Sequence, residues 1–446
     1  MLDLMIKAVE GCQDTILAAE RHIWKHPETG YREWKTHAYM KEKFEELGYT
    51  VTEAGNIPGF WTDIDTGRPG PRIAVFGEMD SLIIPSHPEC DPETGYVHAC
   101  GHHCQCAALL GVAAGLKTPG ALDNMSGSIR LIVVPAEELI ELNYRKQLKE
   151  QGVIRYFGGK QEFMYRGVLD GVDISFMVHS SGGTTFNCGD GSNGCVVKEA
   201  VFTGKSAHAG GSPHVGKNAL YAANCAMQAA NALRETFRDN EHIRFHPIIT
   251  AGGDAVNAIP DRVMVESYVR ASTMEALARE NQKINRAFAG AAAAMDCGVH
   301  LWDHHGYAPR EYDPNLKELC RLAGIDVLGE EQIRFIHAWS SGCSDLGDVS
   351  CVMPAIHPQM GGANGTSHTS NYTISDPVRA CVDNAKVQCA ILDRLLRDDA
   401  AGAKGVLANG RKDYPTIPEY LASIDALCID KQAVTTNEDG TMTLSF

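Results

Sequence analysis

Two features are scarce in this 446-residue sequence: long apolar runs and basic side chains. No segment approaches the roughly 20 consecutive apolar residues that a membrane-spanning helix needs. Lys and Arg together number 40 against 56 Asp and Glu, which gives a formal net charge of −16. A surplus of negative charge disfavours binding to nucleic acid and to anionic membranes. We therefore expect a small-molecule substrate, with no nucleic-acid or membrane partner.

We also expect no secretory leader, because apolar residues in the first 24 positions recur every three or four positions, as in an amphipathic helix. The 15 cysteines are an odd number and are scattered along the whole length. That distribution does not fit a disulfide framework and is typical of a reducing compartment. We expect a cytoplasmic protein.

Strand and helix patterns alternate in the first part of the chain. RIAVFGEMD, GSIRLIVVPAEEL and GVDISFMVHS have the pattern of buried strands, and CAALLGVAAGL that of a helix. Such alternation predicts an α/β fold with a mixed, mostly parallel sheet. Residues 196–308 instead follow the order β-α-β-β-α-β, which is typical of a ferredoxin-like module. We therefore predict a discontinuous domain (1–195 and 309–446) with an inserted second domain (196–308).

Several polar residues follow directly after predicted strands. They are Asp80, the pair Glu137 and Glu138, and His179. In open α/β sheets the ligand site lies beyond the carboxyl ends of the strands. These side chains are therefore expected to converge on one site, although any one of them taken singly is equally well explained as a packed or solvated residue.

The segment HACGHHCQC, residues 98–106, holds three cysteines and three histidines just before an apolar helix. Thiolates and imidazoles bind zinc, manganese and related ions. Cys100 and His102 can approach one metal from a tight turn, while one carboxylate of the Glu137–Glu138 pair binds metal and the other handles a proton. A structural zinc knot is the alternative, but a second cysteine pair at matching spacing is not found.

The ordered set of motifs resembles a known family. HPETGYRE, HACGH, PAEE, MVH and GKSAHAGGSPHVGKNAL follow one another within residues 15–400. They resemble the aminoacylase and carboxypeptidase G-type dinuclear metallo-amidohydrolases of peptidase clan MH, in the auxin-conjugate hydrolase branch. AGGDAVNAIPD and AWSSGCSDLGDVS are most similar to the p-aminobenzoyl-glutamate hydrolases of that branch. The resemblance implies a zinc-exopeptidase-like catalytic domain with a ferredoxin-like lid and dimerisation domain.

The resemblance also implies a metal centre. Two divalent ions, Mn²⁺ or Zn²⁺, would be bridged by Cys100. The remaining ligands would be His102, Glu138, His179 and His368. Glu137 would be the general base, and Asp80 would lie behind the metal ligands.

Three further residues are implied in the inserted domain. His208 would stabilise the oxyanion in the partner subunit's site, and Asn257 and Arg270 would hold a substrate carboxylate. The alternative for Arg270 is a strand residue that faces solvent. We expect a homodimer formed through this domain, with a hetero-oligomer or a larger assembly left open.

The sequence departs from the family pattern CGHD-x-H. His103 stands where Asp is usual and Gln105 where the second His is usual. His103 is either an extra ligand or a helix cap, and we favour the cap. Cys104 and Cys106 are expected to pack within the helix. His357 competes with His368 for the last ligand position, and we favour His368, which lies in the loop matching the family's closing histidine.

The leading functional hypothesis is hydrolysis of the amide bond of an N-acyl or N-aroyl amino acid, either a p-aminobenzoyl-glutamate-like conjugate or a dipeptide. A second hypothesis is attack of metal-activated water on an aryl amine or a cyclic amide. A third is a non-catalytic partner subunit of a hydrolase pair, but the presence of every expected ligand disfavours it.

Overall fold

The computed structural model describes residues 1–410, 412–437 and 439–445, and the chain divides into two compact units. The first unit comprises Met1–Gly191, Glu311–Trp339 and Ser344–Glu419. The second unit comprises Ser192–Arg310, Ser340–Cys343 and the described residues from Tyr420 onward. The second unit includes residues 196–308, the range of the predicted insertion, together with two further segments.

The helices vary widely in length, and none in the described part of the chain is both long and apolar enough to cross a membrane. The α-helices are α1 Leu2–Gly11, α2 Gln13–Trp24, α3 Trp34–Glu46, α4 His102–Lys117, α5 Leu142–Glu150, α6 Gly159–Tyr165, α7 Ala219–Ala232, α8 Met274–Ala294, α9 Pro314–Leu328, α10 Leu346–Ser350, α11 Asn384–Asn409 and α12 Ile417–Asp425. A π-helical turn, Val378–Asp383, leads directly into α11. Short 3₁₀ turns are Pro213–Val215, Leu233–Thr236, Asp239–Glu241 and Glu330–Gln332.

The strands are mostly short, and the longest belong to the second unit. They are β1 Thr52–Glu53, β2 Phe60–Asp65, β3 Arg72–Glu78, β4 Leu82–Ile83, β5 Tyr96–Val97, β6 Ser128–Val134, β7 Ile174–Phe176, β8 His179–Gly182, β9 Phe186–Cys188, β10 Gly191–Ser192, β11 Gly194–Thr203, β12 Arg244–Phe245, β13 Ile248–Ala251, β14 Arg262–Ala271, β15 Gly298–Tyr307, β16 Arg310–Glu311, β17 Ile333–Phe335, β18 Trp339–Ser340, β19 Ala355–Ile356, β20 Gln359–Asn364, β21 Thr373–Ile374, β22 Ile429–Thr436 and β23 Met442–Leu444.

The first unit is built on a six-stranded sheet in the order β1-β2-β6-β3-β7-β19. The four strands β6, β3, β7 and β19 run parallel, β2 pairs antiparallel with β6, and β1 pairs antiparallel with β2. The interiors of β3 and β6 are buried and, apart from Arg130 in β6, apolar, as expected for strands covered on both faces. Helix α4 is buried from His102 to Leu116 and packs against β3. The predicted mixed, mostly parallel α/β fold is confirmed.

The carboxyl ends of the parallel strands lie at one edge of this sheet and position the polar residues singled out from the sequence. Asp80 follows the end of β3, Glu137 and Glu138 follow β6, and His179 follows β7 and begins β8. Because adjacent parallel strands end at the same edge, residues distant in the sequence meet there. The five-stranded sheet that contains β8 also contains β20 and β21, which lead to and from the loop of His368.

The second unit contains a seven-stranded antiparallel sheet in the order β12-β14-β11-β15-β22-β23, with β13 also paired to β14. Helices α7 and α8 pack on it, and the order β11-α7-β13-β14-α8-β15 is the predicted β-α-β-β-α-β module. Alanines of α7 face phenylalanines and valines of the sheet and of α8, which allows the two helices to pack closely.

The tail of the chain differs from the sequence-based boundary, which placed all of 309–446 in the first domain. Strand β22 pairs antiparallel with β15 from Val299 to Asp303, and β23 pairs with β22. The tail therefore extends the second unit's sheet. The physical reason is that β15 would otherwise be an edge strand with unpaired backbone groups, which a further strand satisfies.

Candidate metal centre

The turn that precedes α4 places Cys100 and His102 side by side. Between them, Gly101 has φ +111°, a conformation that residues with a side chain rarely adopt. A Cβ atom at this position would collide with the hydroxyl groups of Ser180 and Tyr372. Glycine is therefore required both for the backbone conformation and for the close approach of β8.

The two glutamates after β6 both reach the site. Ala136, just before them, has φ +57°, so the chain turns sharply at the strand end instead of continuing its alternation. Carboxylate oxygens of Glu137 and Glu138 and a ring nitrogen of His102 lie within 4.8 Å of one another. Glu137 and Glu138, although consecutive, thus face one site, as expected at a bent strand end.

Cys100 belongs to two overlapping groups of potential metal ligands. In one group its Sγ lies near the ring nitrogens of His102 and His179, with 3.3 Å between Sγ and Nε2 of His179. In the other it lies near Glu138 and His368, whose Oε1 and Nε2 atoms are 3.0 Å apart. Within each group the donor atoms lie within 4.8 Å of one another. The sulfur of Cys100, which belongs to both groups, therefore has the position expected of a thiolate that would bridge two ions.

The imidazoles are oriented by their second nitrogens. Nδ1 of His102 donates to the backbone oxygen of Asp80 at 2.9 Å and to its Oδ1 at 3.0 Å, and Nδ1 of His179 donates to the backbone oxygen of Ser180 at 2.6 Å. Asp80 also accepts the Glu138 N–H through Oδ2 at 2.7 Å. Each Nε2 is thereby left as a lone-pair donor facing the site, which is the usual arrangement around metal-binding histidines.

The electrostatics of the site favour a cation. Burial raises the pKa of the Cys100 thiol, but the imidazoles of His102 and His179 outweigh burial and lower that pKa to about 6. Contacts with Cys100 and Glu138 raise the pKa of His368 to about 11. Since anionic sulfur and oxygen surround the imidazoles, positive charge is stabilised here. The Nε2 atom of His102 is buried and makes no well-aligned hydrogen bond in the described part of the chain, although Oε2 of Glu78 lies 3.2 Å away. A buried imidazole nitrogen among thiolate and carboxylate groups suits a cation, so this donor set fits bound divalent ions.

Glu137 has a different environment from the other carboxylates. Burial raises the pKa of its carboxyl group well above the ordinary value, and the nearby negative charges of Glu78 and Glu138 add to the effect. Its Oε2 lies 3.9 Å from Nε2 of His102. A carboxyl group with a raised pKa beside potential metal ligands is able to accept and hold a proton.

A buried charge network below the site was not found from the sequence. Lys160, at the beginning of α6, donates to Glu78 and, at 2.5 Å, to Asp345. The side chains of all three are fully buried. Gln105 donates to the other oxygen of Glu78 at 2.6 Å. In the sequence, Glu78 lies within the buried strand RIAVFGEMD, and a buried carboxylate requires a cation nearby. The sequence does not show that this cation is Lys160.

The positions that depart from the family pattern have distinct surroundings. The predicted helix cap by His103 is wrong: α4 has no side-chain cap, and Nε2 of His103 instead lies 3.3 Å from Oε1 of Glu20. Cys106 is buried in the helix and donates to the backbone oxygen of Glu78 at 3.0 Å. His357 packs against the ring of His179 at a centroid distance of 5.4 Å, while His368 is the histidine grouped with Cys100.

The remaining three candidates lie in the second unit. His208 and Asn257 are on neighbouring loops, where the Ala209 N–H donates to the Asn257 backbone oxygen at 2.9 Å. The ring of His208 accepts the Gly211 N–H at 2.8 Å. Arg270, near the end of β14, is only partly exposed and donates to Sγ of Cys343 at 3.0 Å. A simple solvent-facing position for Arg270 is therefore not observed.

Comparison with known proteins gives a consistent result. The model of a peptidase dimerisation domain of the M20 group matches residues 189–296. The Xaa-Arg dipeptidase of Mus musculus is 29% identical over 390 residues, which cover 82% of this chain and 81% of that protein. One of the subunits of the p-aminobenzoyl-glutamate hydrolase of Escherichia coli (strain K12) is 27% identical over 301 residues, covering 66% of this chain and 58% of that protein. The crystal structure of a dinuclear metal-binding M20 peptidase from Bacillus subtilis has a TM-score of 0.65 at 20% identity, covering 86% of this chain and 98% of that one.

The fold and the donor set define a two-domain α/β metallohydrolase. The matched dimerisation domain and the relatives support membership of the M20 family of peptidases and amidohydrolases, and the chain is a hydrolytic enzyme that acts on amide bonds. The resemblance predicted from the sequence motifs is thereby confirmed.

Proposed function

We propose that this enzyme uses two divalent ions to hydrolyse the amide bond between an acyl or aroyl group and an amino acid that carries a free carboxylate. The observation that carries the proposal is the shared position of Cys100 in two ligand groups, with Glu137 beside them. The names of the relatives support the substrate class, since they describe a dipeptidase and a hydrolase of p-aminobenzoyl-glutamate.

The ligand set suits Mn²⁺ or Zn²⁺. Cys100, His102 and His179 would hold one ion, and Cys100, Glu138 and His368 the other. When bound, such ions polarise the scissile carbonyl and make water acidic enough to lose a proton near neutral pH. The backbone oxygen of Ser180 and the carboxylate of Asp80 keep the ligands in position.

Glu137 would move the proton. It accepts a proton from the attacking water and donates it to the amine that leaves, so that the C–N bond breaks with a neutral leaving group. Its surroundings support this role, because burial and neighbouring carboxylates stabilise the protonated form while His102 opposes them.

The second unit would contribute substrate binding and subunit contacts, and the two units would correspond to catalytic and lid domains. His208 would stabilise the oxyanion in the partner subunit's site, and Asn257 and Arg270 would bind the substrate carboxylate. A homodimer is supported by the matched dimerisation domain and by exposed apolar side chains on this unit, including Ile248 and Val256.

The proposal is tested by amine release from a panel of N-acyl and N-aroyl amino acids and dipeptides. We expect release that requires Mn²⁺ or Zn²⁺ and stops with chelator, because water is not sufficiently activated without the ions. Esterified substrates that lack the free carboxylate serve as the matched control and should react more slowly. Silence across the panel by a protein that holds two ions per chain would contradict the proposal and favour a non-catalytic partner subunit.

Arg270→Ala is expected to raise KM for carboxylate substrates by about tenfold to a hundredfold, because a charge-assisted hydrogen bond to a carboxylate is lost. Steady-state kinetics measure the effect, and Arg262→Ala is the control because Arg262 is an exposed arginine on the same strand. Equal kinetics for Arg270→Ala and Arg262→Ala would remove Arg270 from the binding site and favour a substrate without a carboxylate, such as a cyclic amide.

A further inference from the structure

A separate group of potential metal ligands lies around the beginning of α4 and shares no residue with the groups around Cys100. It consists of Glu20 on α2 and of His103 and Cys104 on α4. All three are buried, with 5% exposure for Glu20 and none for the other two. The donor atoms lie within 4.8 Å of one another. The mechanism proposed above uses none of them.

The distances within this group match tetrahedral coordination. Nε2 of His103 lies 3.3 Å from Oε1 of Glu20 and 3.4 Å from Sγ of Cys104. Around a tetrahedral zinc ion with ordinary bond lengths, a nitrogen and an oxygen are separated by about 3.3 Å, and a nitrogen and a sulfur by about 3.5 Å. Nε2 of His103 therefore lies at the distances from Oε1 of Glu20 and Sγ of Cys104 that a shared zinc ion would impose.

A further thiol lies next to the group, on another element. Cys381, in the π-helical turn before α11, is fully buried and interacts with the Cys104 thiol, but it does not belong to the set of donor atoms that lie within 4.8 Å of one another. Helices α2 and α4 and this π-helical turn all pack against one another. The three grouped side chains therefore come from α2 and α4, and the Cys381 thiol adjoins them from the π-helical turn.

Unsatisfied polar atoms provide an independent observation. His98 is completely buried, and neither of its ring nitrogens has a hydrogen-bond partner in the described part of the chain. Nδ1 of His103 has none either, and the two rings are 5.3 Å apart between centroids. Each such buried atom costs about 1–3 kcal/mol unless something else binds there. Three buried ring nitrogens at or beside the cluster therefore lack a hydrogen-bond partner among the described residues.

From these observations we infer that Glu20, His103 and Cys104 form a third metal site, which holds a structural zinc ion, and that the adjoining Cys381 thiol moves in as the fourth ligand when the ion binds. Thiolate, imidazole and carboxylate are the donors that zinc prefers, and four protein ligands without access for water are typical of a structural site. Binding would release the thiol protons to solvent and leave two thiolates on the ion. The ion would connect α2, α4 and the π-helical turn, and so fix the helix that carries His102.

The test separates this ion from those of the catalytic centre. In a Cys100→Ser, His179→Ala background, which removes the bridging thiolate, we expect one zinc per chain after dialysis against a weak chelator, measured by mass spectrometry of the metal. Adding Cys104→Ser should reduce zinc to background. Adding Cys106→Ser is the matched control and should leave one zinc, because Cys106 is a buried cysteine of the same helix outside the cluster.

Cobalt substitution gives a second readout that does not depend on how well the Cys104 variant folds. In the Cys100→Ser, His179→Ala background, Co²⁺ should give a thiolate-to-cobalt charge-transfer band and the visible absorption of tetrahedral cobalt. Cys381→Ser should weaken that band. A background protein that binds no zinc after dialysis, or that binds cobalt without a thiolate band, would overturn the inference.

Discussion

Glu137→Gln is expected to lower kcat by about 10²- to 10⁴-fold while both metal ions stay bound. The substitution preserves the shape of the side chain but removes its ability to accept a proton. Glu137 is the buried carboxylate whose pKa burial raises well above the ordinary value. Single-turnover kinetics and metal content, measured on the same preparation, test both parts of the expectation.

Glu138→Gln is the contrasting variant. Its carboxylate lies 3.0 Å from Nε2 of His368 and belongs to the group around Cys100. We expect this variant to lose metal as well as activity, because an amide is a much weaker ligand than a carboxylate. Full activity of Glu137→Gln would refute its role as the base, and loss of metal from Glu137→Gln would make it a ligand instead.

Lys160→Met is expected to destabilise the protein by about 3–5 kcal/mol, because it leaves two buried carboxylates without their cation. Lys160 is the shared partner of Glu78 and Asp345, and its removal leaves like charges facing each other. The mutual influence of these groups is visible in their pKa values: burial raises that of Asp345 to about 7, whereas the charge of Lys160 outweighs burial and lowers that of Glu78 to about 2. Chemical denaturation with saturating metal measures the loss.

Lys404→Met is the matched control for that experiment. Lys404 pairs with Asp399 at 2.6 Å, but both side chains are mostly exposed, and such a pair contributes about 0–1 kcal/mol. The triple variant Lys160→Met, Glu78→Gln, Asp345→Asn should recover part of the loss because it removes the unpaired charges. If Lys160→Met cost no more than Lys404→Met, the network would not be a major source of stability.

The sequence predicted the architecture because its signals are local. The periodicity of apolar residues indicates whether each segment forms a strand or a helix. Adjacent parallel strands then end at a common edge of the sheet. That argument was enough to group Asp80, Glu137, Glu138 and His179, and the structure brings them together around Cys100 and His102. The motif resemblance added His368, which lies far along the chain from the other ligands.

Other features depended on contacts that no local pattern records. Lys160 is 82 positions from Glu78 and 185 from Asp345 along the chain, and only the packing of α6 against β6 and α10 makes them partners. His103 was predicted to cap its own helix, yet its ring faces Glu20 on α2. The residues of β22 were wrongly assigned to the first domain, because their own sequence pattern does not show that they pair with β15.

The sequence by itself thus determined the secondary structure, the α/β class, the family and the chemical kinds of side chain available at the site. The tertiary structure decided which of those side chains meet, which nitrogen of each histidine faces the site and which cation neutralises the buried acids. The physical reason is that backbone periodicity reflects burial residue by residue, whereas the pairing of charges and ligands depends on distances that exist only once distant segments have packed.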